Sequence, residues 1–409
     1  MSEAIHVDLD LPDGVRNVGT AFINVRRRIA STTFTYSNAY LASPGAYALD
    51  PGLPLASGAH HVQGLPGAFA DSAPDRWGRR IISKRFRQLA REAERTVSEP
   101  TERDFLLEVA DLTRQGALRF RRDAGPHLHP ETKVPNLVAL PALLNAANTI
   151  ESDQDPTGAL KLLLDAGTGS LGGVRPKASV MDGDKLAIAK FPHPSDEWSV
   201  IAWEAATLQL ARAAKVHVPE ARLEHVGSAP VLLLDRFDRK GSARIGYASG
   251  MTMLQESDGS NSDYLELLDV IAESSNDANA DRAELFRRIV FNLMVNNSDD
   301  HMRNHGFLRG KAGWRLCPAF DVNPNPDVAA LHQTSIGGAD NRDDASEALM
   351  DVAEYFLPGP KQRDLVIVEI REAIKEWRRS ALTHGIDERE LNRFADVFDR
   401  HPLGFRSRS

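Results

Sequence analysis

The chain has 409 residues, 42% of them apolar and 26% charged, with a formal net charge of -8. That length supports about two or three units with their own cores, and the ordinary globular composition excludes disorder and membrane insertion as organising features. The acidic balance argues against a general nucleic-acid binder; the local basic patches at Arg26-Arg27-Arg28, Arg79-Arg80 and 119–122 each read as a solvated face.

No apolar run approaches the ~18–20 residues of a spanning helix. Met1-Ser2-Glu3-Ala4 lacks the basic and apolar regions of a signal peptide, and the single Cys317 cannot form an internal disulfide. Both set the expectation of a reducing cytoplasm and no membrane partner.

To about residue 70 the chain reads as strands and turns. Residues 5–9 alternate, Leu11-Pro12-Asp13-Gly14 is a turn, and 20–25 and 30–36 are extended. A Pro/Gly-punctuated stretch over 43–67 leads to a basic helix ending near 94, and a further helix is expected over 102–112. The Pro-rich segment 126–135 marks a boundary, 137–151 is helical and 152–157 a loop.

Gly167-Thr168-Gly169-Ser170-Leu171-Gly172-Gly173 contains a G-x-G-x-x-G spacing. A dinucleotide fold would run from it straight into a helix. Here Pro176 and an apolar strand over 178–181 follow, then the turn Asp182-Gly183 and a second strand over 186–190. No Gly-Lys-Ser/Thr closes the loop, so it is not a Walker A loop either. A glycine loop continuing into a hairpin is how kinases cover ATP phosphates, with a plain flexible turn as the alternative. Lys190 ends the second strand, where a kinase lysine reaches the phosphates; Glu204, in a helix over 198–214, is placed to aim it. A solvated Lys and a surface Glu remain the competing readings.

Strands over 222–226 and 229–234 end in Asp235-Arg236-Phe237-Asp238-Arg239, which suits a hinge whose backbone at Asp235, Arg236 and Phe237 meets adenine. Helices follow over 263–273 and 280–294, the latter with Leu285, Phe286, Ile289, Val290, Leu293 and Met294 on one face. It feeds Asn296-Asn297-Ser298-Asp299-Asp300-His301-Met302-Arg303-Asn304. Asp299, Asn304 five positions on, and Asp321 seventeen beyond that match the spacing of a kinase catalytic loop and its metal-holding Asp. His301 and His305 are four apart, as in helical metal sites, but Asn304-His305-Gly306 reads as a helix stop. Residues 323–345 are irregular, and helices are expected over 346–356, 361–379 and 387–399.

With these motifs in place the chain resembles the HipA family of toxin–antitoxin Ser/Thr kinases over nearly its whole length. The resemblance rests on 169–177, Arg236-Phe237-Asp238-Arg239, 298–304 and Phe320-Asp321. It implies an α+β, protein-kinase-like two-lobed fold, with a β-rich N-lobe, a helical C-lobe and an added N-terminal strand-rich subdomain. The divisions expected are 1–135, 136–240 and 241–409. It further implies Asp299 as catalytic base, Asn304 and Asp321 as Mg²⁺ ligands, and Ser170 as an autophosphorylation site that silences the enzyme. ATP contacts are implied for Gly172, Gly173, Val174, Arg175, Pro176, Lys177, Lys190, Glu204, Asp235, Arg236, Phe237, His301, Asn304 and Asp321. ATP and Mg²⁺ are the cofactors implied. The partners are a helix-turn-helix antitoxin, through which DNA is reached indirectly, and a protein substrate expected to be an aminoacyl-tRNA synthetase. Asp300 departs from the family's small residue there, and Arg175-Pro176 from its usual polar pair. Two other readings compete: a nucleotide-binding, catalytically weak scaffold that tunes an antitoxin on its operator, and a metal-dependent hydrolase built on Asp299, Asp300, His301 and His305.

Overall fold

The computed structural model describes residues 3–152, 157–167 and 173–405. Where the sequence suggests three divisions, contacts group the chain into two compact units: Met1–Pro194 with Asp235–Ala248, and Ser195–Leu234 with Ser249–Ser409.

In the first unit, β1 (Ala4–Leu11), β2 (Gly14–Arg26), β3 (Ile29–Tyr36), β4 (Ala59–Gln63) and β5 (Leu118–Arg122) form a sheet of order β4-β3-β2-β1-β5. All four pairings are antiparallel. The period-two pattern turns Ile5, Val7, Leu9, Ala21, Ile23, Phe34 and Phe120 into one core, completed by Phe69 and Leu106. Gly19 sits where a Cβ would lie 2.3 Å from the Thr35 carbonyl oxygen, so only glycine lets β2 and β3 approach there.

Helix α1 (Arg76–Glu92) starts at Asp75, whose side chain accepts from Gly78 N. It buries Trp77, Ile81 and Ile82. Its basic face is not simply solvated: Arg79 pairs with Glu102, Arg80 with Glu151 and Arg87 with Glu99. The basic patch on β5 is corrected in the same way, with Arg119 on Asp111 and Arg121 on Asp8. The helix expected over 102–112 stops at Glu108. The reason is Arg114, fully buried, whose guanidinium caps the carbonyls of Leu106 and Val109 at 2.9 and 2.7 Å. Residues 111–113 then form a separate 3₁₀ turn. Helix α2 (Leu140–Glu151) follows, and the hairpin of β6 (Lys177–Asp182) and β7 (Lys185–Lys190) pairs Lys177 with Lys190 across its open end.

The second unit carries helix α3 (Val200–Ala213) and the hairpin of β8 (Ala221–Val226) and β9 (Ala229–Asp235), whose last residue lies across the unit boundary. Then come α4 (Tyr264–Ser274), α5 (Ala278–Val295), the short hairpin of β10 (Gly306–Arg309) and β11 (Trp314–Leu316), and α6 (Arg342–Phe356). The helix expected over 361–379 is two, α7 (Pro360–Ile374) and α8 (Trp377–Thr383). Buried Trp377 is fixed by its indole donating to Asp399 at the end of α9 (Glu388–Asp399), which accounts for the break. Trp203 on α3 stacks on Phe394, Phe398 and Trp377, and its indole donates to Glu390 at 3.0 Å. No helix among the described residues is long and apolar enough to cross a membrane.

Phe120 is fully buried, edge-on to Phe69 at 5.2 Å, with the Arg114 guanidinium 4.7 Å from its ring centre. Phe120→Ala is expected to lose about 3–5 kcal/mol, because it opens a cavity and strips the buried arginine of its ring. A lowered urea midpoint in the unfolding of the intact chain is the check.

Candidate active site

Helix α5 delivers the catalytic-loop candidate. It is buried along Leu285, Phe286, Ile289, Val290 and Leu293, and ends at Asn296 in the left-handed region, φ 55°. Asparagine tolerates that conformation better than most residues. The Asn296 amide donates to the carbonyls of Asn325 and Asp327, both at 2.8 Å, while Asn325 N returns a bond to Asn296 O. Asn325 also donates to Ser298 Oγ, and Asn323 N to Asn297 Oδ1. These bonds fasten the segment after Asp321 to the loop before Asp299.

The next residues divide by burial. Asp299 is exposed and Asp300 is buried. The Asp300 carboxylate accepts from Asn292 Nδ2 at 2.8 Å, His305 Nε2 at 2.9 Å and the Tyr264 hydroxyl. Its backbone oxygen accepts from Thr334 Oγ1 at 2.7 Å. Burial by itself would raise the Asp300 pKa, but the His305 charge and the hydrogen bonds from His305 and Tyr264 outweigh it and hold the carboxyl below its ordinary range. Burial and the adjacent Asp300 charge push the Tyr264 phenol well above its ordinary value. Asp300 is thus a structural anchor, and the exposed carboxylate at this position of the chain is Asp299.

Asn304 is buried, and its Nδ2 donates to the Asp299 backbone oxygen at 3.3 Å. Its Oδ1 is also buried, and no group among the described residues donates to it. Asp321 is half-buried with φ 59°, and accepts from Asn323 Nδ2 at 3.2 Å. A non-glycine residue in that region stores strain of order 1–3 kcal/mol, which the surroundings must hold. An undonated amide oxygen and a carboxylate are hard oxygen donors, suited to a hard divalent cation.

The histidine-pair reading is corrected. Residues 302–304 form turns, not helix, and His305 is buried, its ring committed to Asp300 and edge-on to Tyr264. His301 stays half-buried, its Nδ1 buried with no hydrogen-bond partner among the described residues.

In the first unit, Ser170 and Gly172 lie outside the described residues. Gly173 has φ 99°, Val174 is exposed, Arg175 is half-buried and Pro176 is buried, its carbonyl accepting from Phe191 N at 2.9 Å. Lys177, expected at ATP, is buried with its ammonium 2.6 Å from Asp75, and its carbonyl accepts from the Trp77 indole. Lys190 is buried opposite it. Glu204 is buried on α3 of the second unit, so the surface-Glu alternative falls. Asp235 lies 3.8 Å from Lys185, and Phe237 is half-buried against Tyr247. The Arg236 guanidinium is spent on Asp238 and the carbonyls of Thr113 and Arg114, and its backbone N donates to Leu186 O at 3.4 Å. Of the hinge backbone expected to meet adenine, that donor is already engaged.

Sequence reasoning missed Tyr264, Asn292 and Asn323, which shape the loop from other elements. The only available signal was the density of asparagine around Asn292 and Asn325.

The HipA-like C-terminal domain family matches residues 169–385, more than half of the chain. The HipA N-terminal domain family matches residues 16–98. The chain belongs to the HipA family. No curated protein matches it. Among solved structures, a chain from the complex of the Shewanella oneidensis MR-1 toxin antitoxin system HipA, HipB and its operator DNA is similar at 18% identity. That alignment covers 97% of this chain and 95% of the other, with a TM-score of 0.67. The Helicobacter pylori proinflammatory kinase CtkA is similar at 14% identity over 55% of this chain and 91% of its own, with a TM-score of 0.39. The HipA fold here is mixed α and β, with a β-rich N-terminal region.

Asp300 held ionised contributes stability that is present above about pH 4 and lost as pH falls through its lowered pKa. Asp300→Asn is expected to lose about 3–5 kcal/mol at neutral pH, since three donors lose their charged acceptor. The gap between variant and wild type should close as pH falls below about 4 and through the lowered Asp300 pKa. Urea unfolding at several pH values measures both effects.

Proposed function

We propose that this chain is an ATP- and Mg²⁺-dependent protein serine/threonine kinase, the toxin of a HipA–HipB-like toxin–antitoxin pair. The observation that carries the reading is Asn304: its amide nitrogen fixes the Asp299 backbone while its buried oxygen is left for a ligand. That arrangement fits the chemistry of phosphoryl transfer, which is mostly positioning and charge neutralisation.

Asp299, exposed on a loop anchored by Asp300, orients the substrate hydroxyl and accepts its proton. Asn304 Oδ1 and the Asp321 carboxylate hold the metal, and His301 lies by the nucleotide. Bound Mg²⁺ supplies neutralisation of the phosphate charge. Lys190 and the 169–177 loop hold the phosphates, and the backbone at Asp235–Phe237 holds adenine. Ser170 is the autophosphorylation site: a phosphoserine adds about -1.5 to -2 charge at pH 7, which repels ATP phosphates from the loop.

The partner is a helix-turn-helix antitoxin, the kind of partner named in the Shewanella complex of HipA, HipB and operator DNA, and DNA is reached through it. Growth arrest follows from phosphorylation of a protein substrate, for which we propose an aminoacyl-tRNA synthetase.

Intact mass after incubation with Mg·ATP tests the reading on wild type, Asp299→Ala and Ser170→Ala. One added phosphate on wild type, absent from both variants, is the expected result, with Asp299→Ala slowed at least about 10²-fold. Phosphate on Ser170→Ala would move the regulatory site. A wild-type chain that starts without phosphate and gains none would overturn the kinase reading in favour of a nucleotide-binding scaffold.

A further inference from the structure

The turn at 111–116 in the first unit touches the base of the glycine-rich loop at Gly167 and the segment after β9, each next in sequence to positions given nucleotide contacts. On one side is the segment after β9. Asp238 is completely buried, and its carboxylate accepts from Arg236 at 2.7 and 2.6 Å, from Arg239 at 2.7 Å and from Gly116 N at 2.7 Å. The same arginines continue to the turn's own carbonyls: Arg236 Nη1 donates to Thr113 O at 2.9 Å and Arg239 Nη2 to Arg114 O at 2.6 Å. Arg244 closes the set by donating to both the backbone and the carboxylate of Asp111.

On the other side is the base of the glycine-rich loop. Gly167 has φ 60°, and a Cβ built there would fall 2.2 Å from Thr113 Oγ1 and 2.3 Å from its Cγ2. Thr113 is itself fully buried, so it has nowhere to retreat. The loop base is also tied to β6, where Ser179 N donates to Ala166 O at 3.1 Å and Ser179 Oγ to Gly167 O at 3.3 Å. One turn therefore sets the spacing between the start of the phosphate loop and the backbone of 235–237.

We infer that Thr113 and Asp238 are positioning residues for the nucleotide, acting through the 111–116 turn and touching no substrate themselves. The inference rests on the kinase reading above. A buried carboxylate shared by two guanidiniums and a backbone N–H tolerates little displacement, because any donor that lets go is left unpaired in the interior. The spacing between the loop base at Gly167 and the segment after β9 is thereby fixed before ATP arrives, and that pre-organisation appears as affinity. The same reasoning gives Arg236 its place in the family motif: its side chain serves the turn, tying Asp238 to the Thr113 carbonyl.

The test uses the full chain with a non-hydrolysable Mg·ATP analogue for affinity, Mg·ATP for turnover, and urea unfolding for integrity. Asp238→Asn keeps the shape and removes the charge; Thr113→Ala opens space beside Gly167 and leaves the Asp238 ion pairs intact. Both are expected to bind nucleotide roughly tenfold more weakly, in the range of ordinary coupling between sites. The rate at saturating ATP should stay within about twofold, the pattern of lost ground-state binding. If Asp238→Asn does not fold, Thr113→Ala decides. Wild-type affinity in a folded variant overturns the inference, as does a loss of affinity and rate in equal measure that merely follows the folded fraction. A wild-type chain that binds no nucleotide overturns the kinase reading and this inference with it.

Discussion

A single buried carboxylate organises the loop on which the chemistry depends. Asp300 gathers Tyr264 from α4, Asn292 from α5 and His305 from just beyond the loop. Taking an anion out of water is costly unless its lone pairs are met, and here hydrogen bonds from all three groups meet them. Asp300 is buried, and its neighbour Asp299 is the exposed carboxylate of the two. Asn304 can then reach back to the Asp299 carbonyl, which leaves its own oxygen undonated. The left-handed turn at Asn296 and the bonds from 323–325 close the arrangement from the other side.

The first unit uses the same device with the opposite balance of charge. Asp238 is one anion among several cations, Arg236, Arg239 and, through Asp111, Arg244. Its pKa is strongly lowered: burial opposes ionisation, but the two guanidiniums and Gly116 N outweigh it. Networks of this kind add little net stability compared with apolar side chains of equal volume, but they specify one geometry. On the proposed reading, the first network holds the loop of Asp299 and the second holds the segment that carries Arg236, one of the positions given an ATP contact.

Much of this was legible in the sequence. The period-two strands, the glycine loop running into a hairpin, the apolar stripe of α5 and the spacing of Asp299, Asn304 and Asp321 all carry local signals, and local signals survive in one dimension. What was not legible is long-range. Nothing near Lys177 announces Asp75, about a hundred residues earlier, and nothing near Arg114 says that its guanidinium ends a helix at Glu108. The basic runs at Arg79-Arg80 and 119–122 read as solvated because partners such as Glu151 for Arg80 and Asp8 for Arg121 are distant in sequence. The doubt over Asp299 and Asp300 was of the same kind: two adjacent carboxylates look alike until burial separates them.

The account turns on the Asn304 oxygen as a ligand for a hard cation, so the most direct measurement is the metal dependence of nucleotide binding. Calorimetric titration of ATP with and without Mg²⁺ on wild type and Asn304→Ala would make it. The account predicts that Mg²⁺ tightens binding to wild type and that most of this gain disappears in Asn304→Ala while the variant stays folded. An equal gain in both proteins would contradict it.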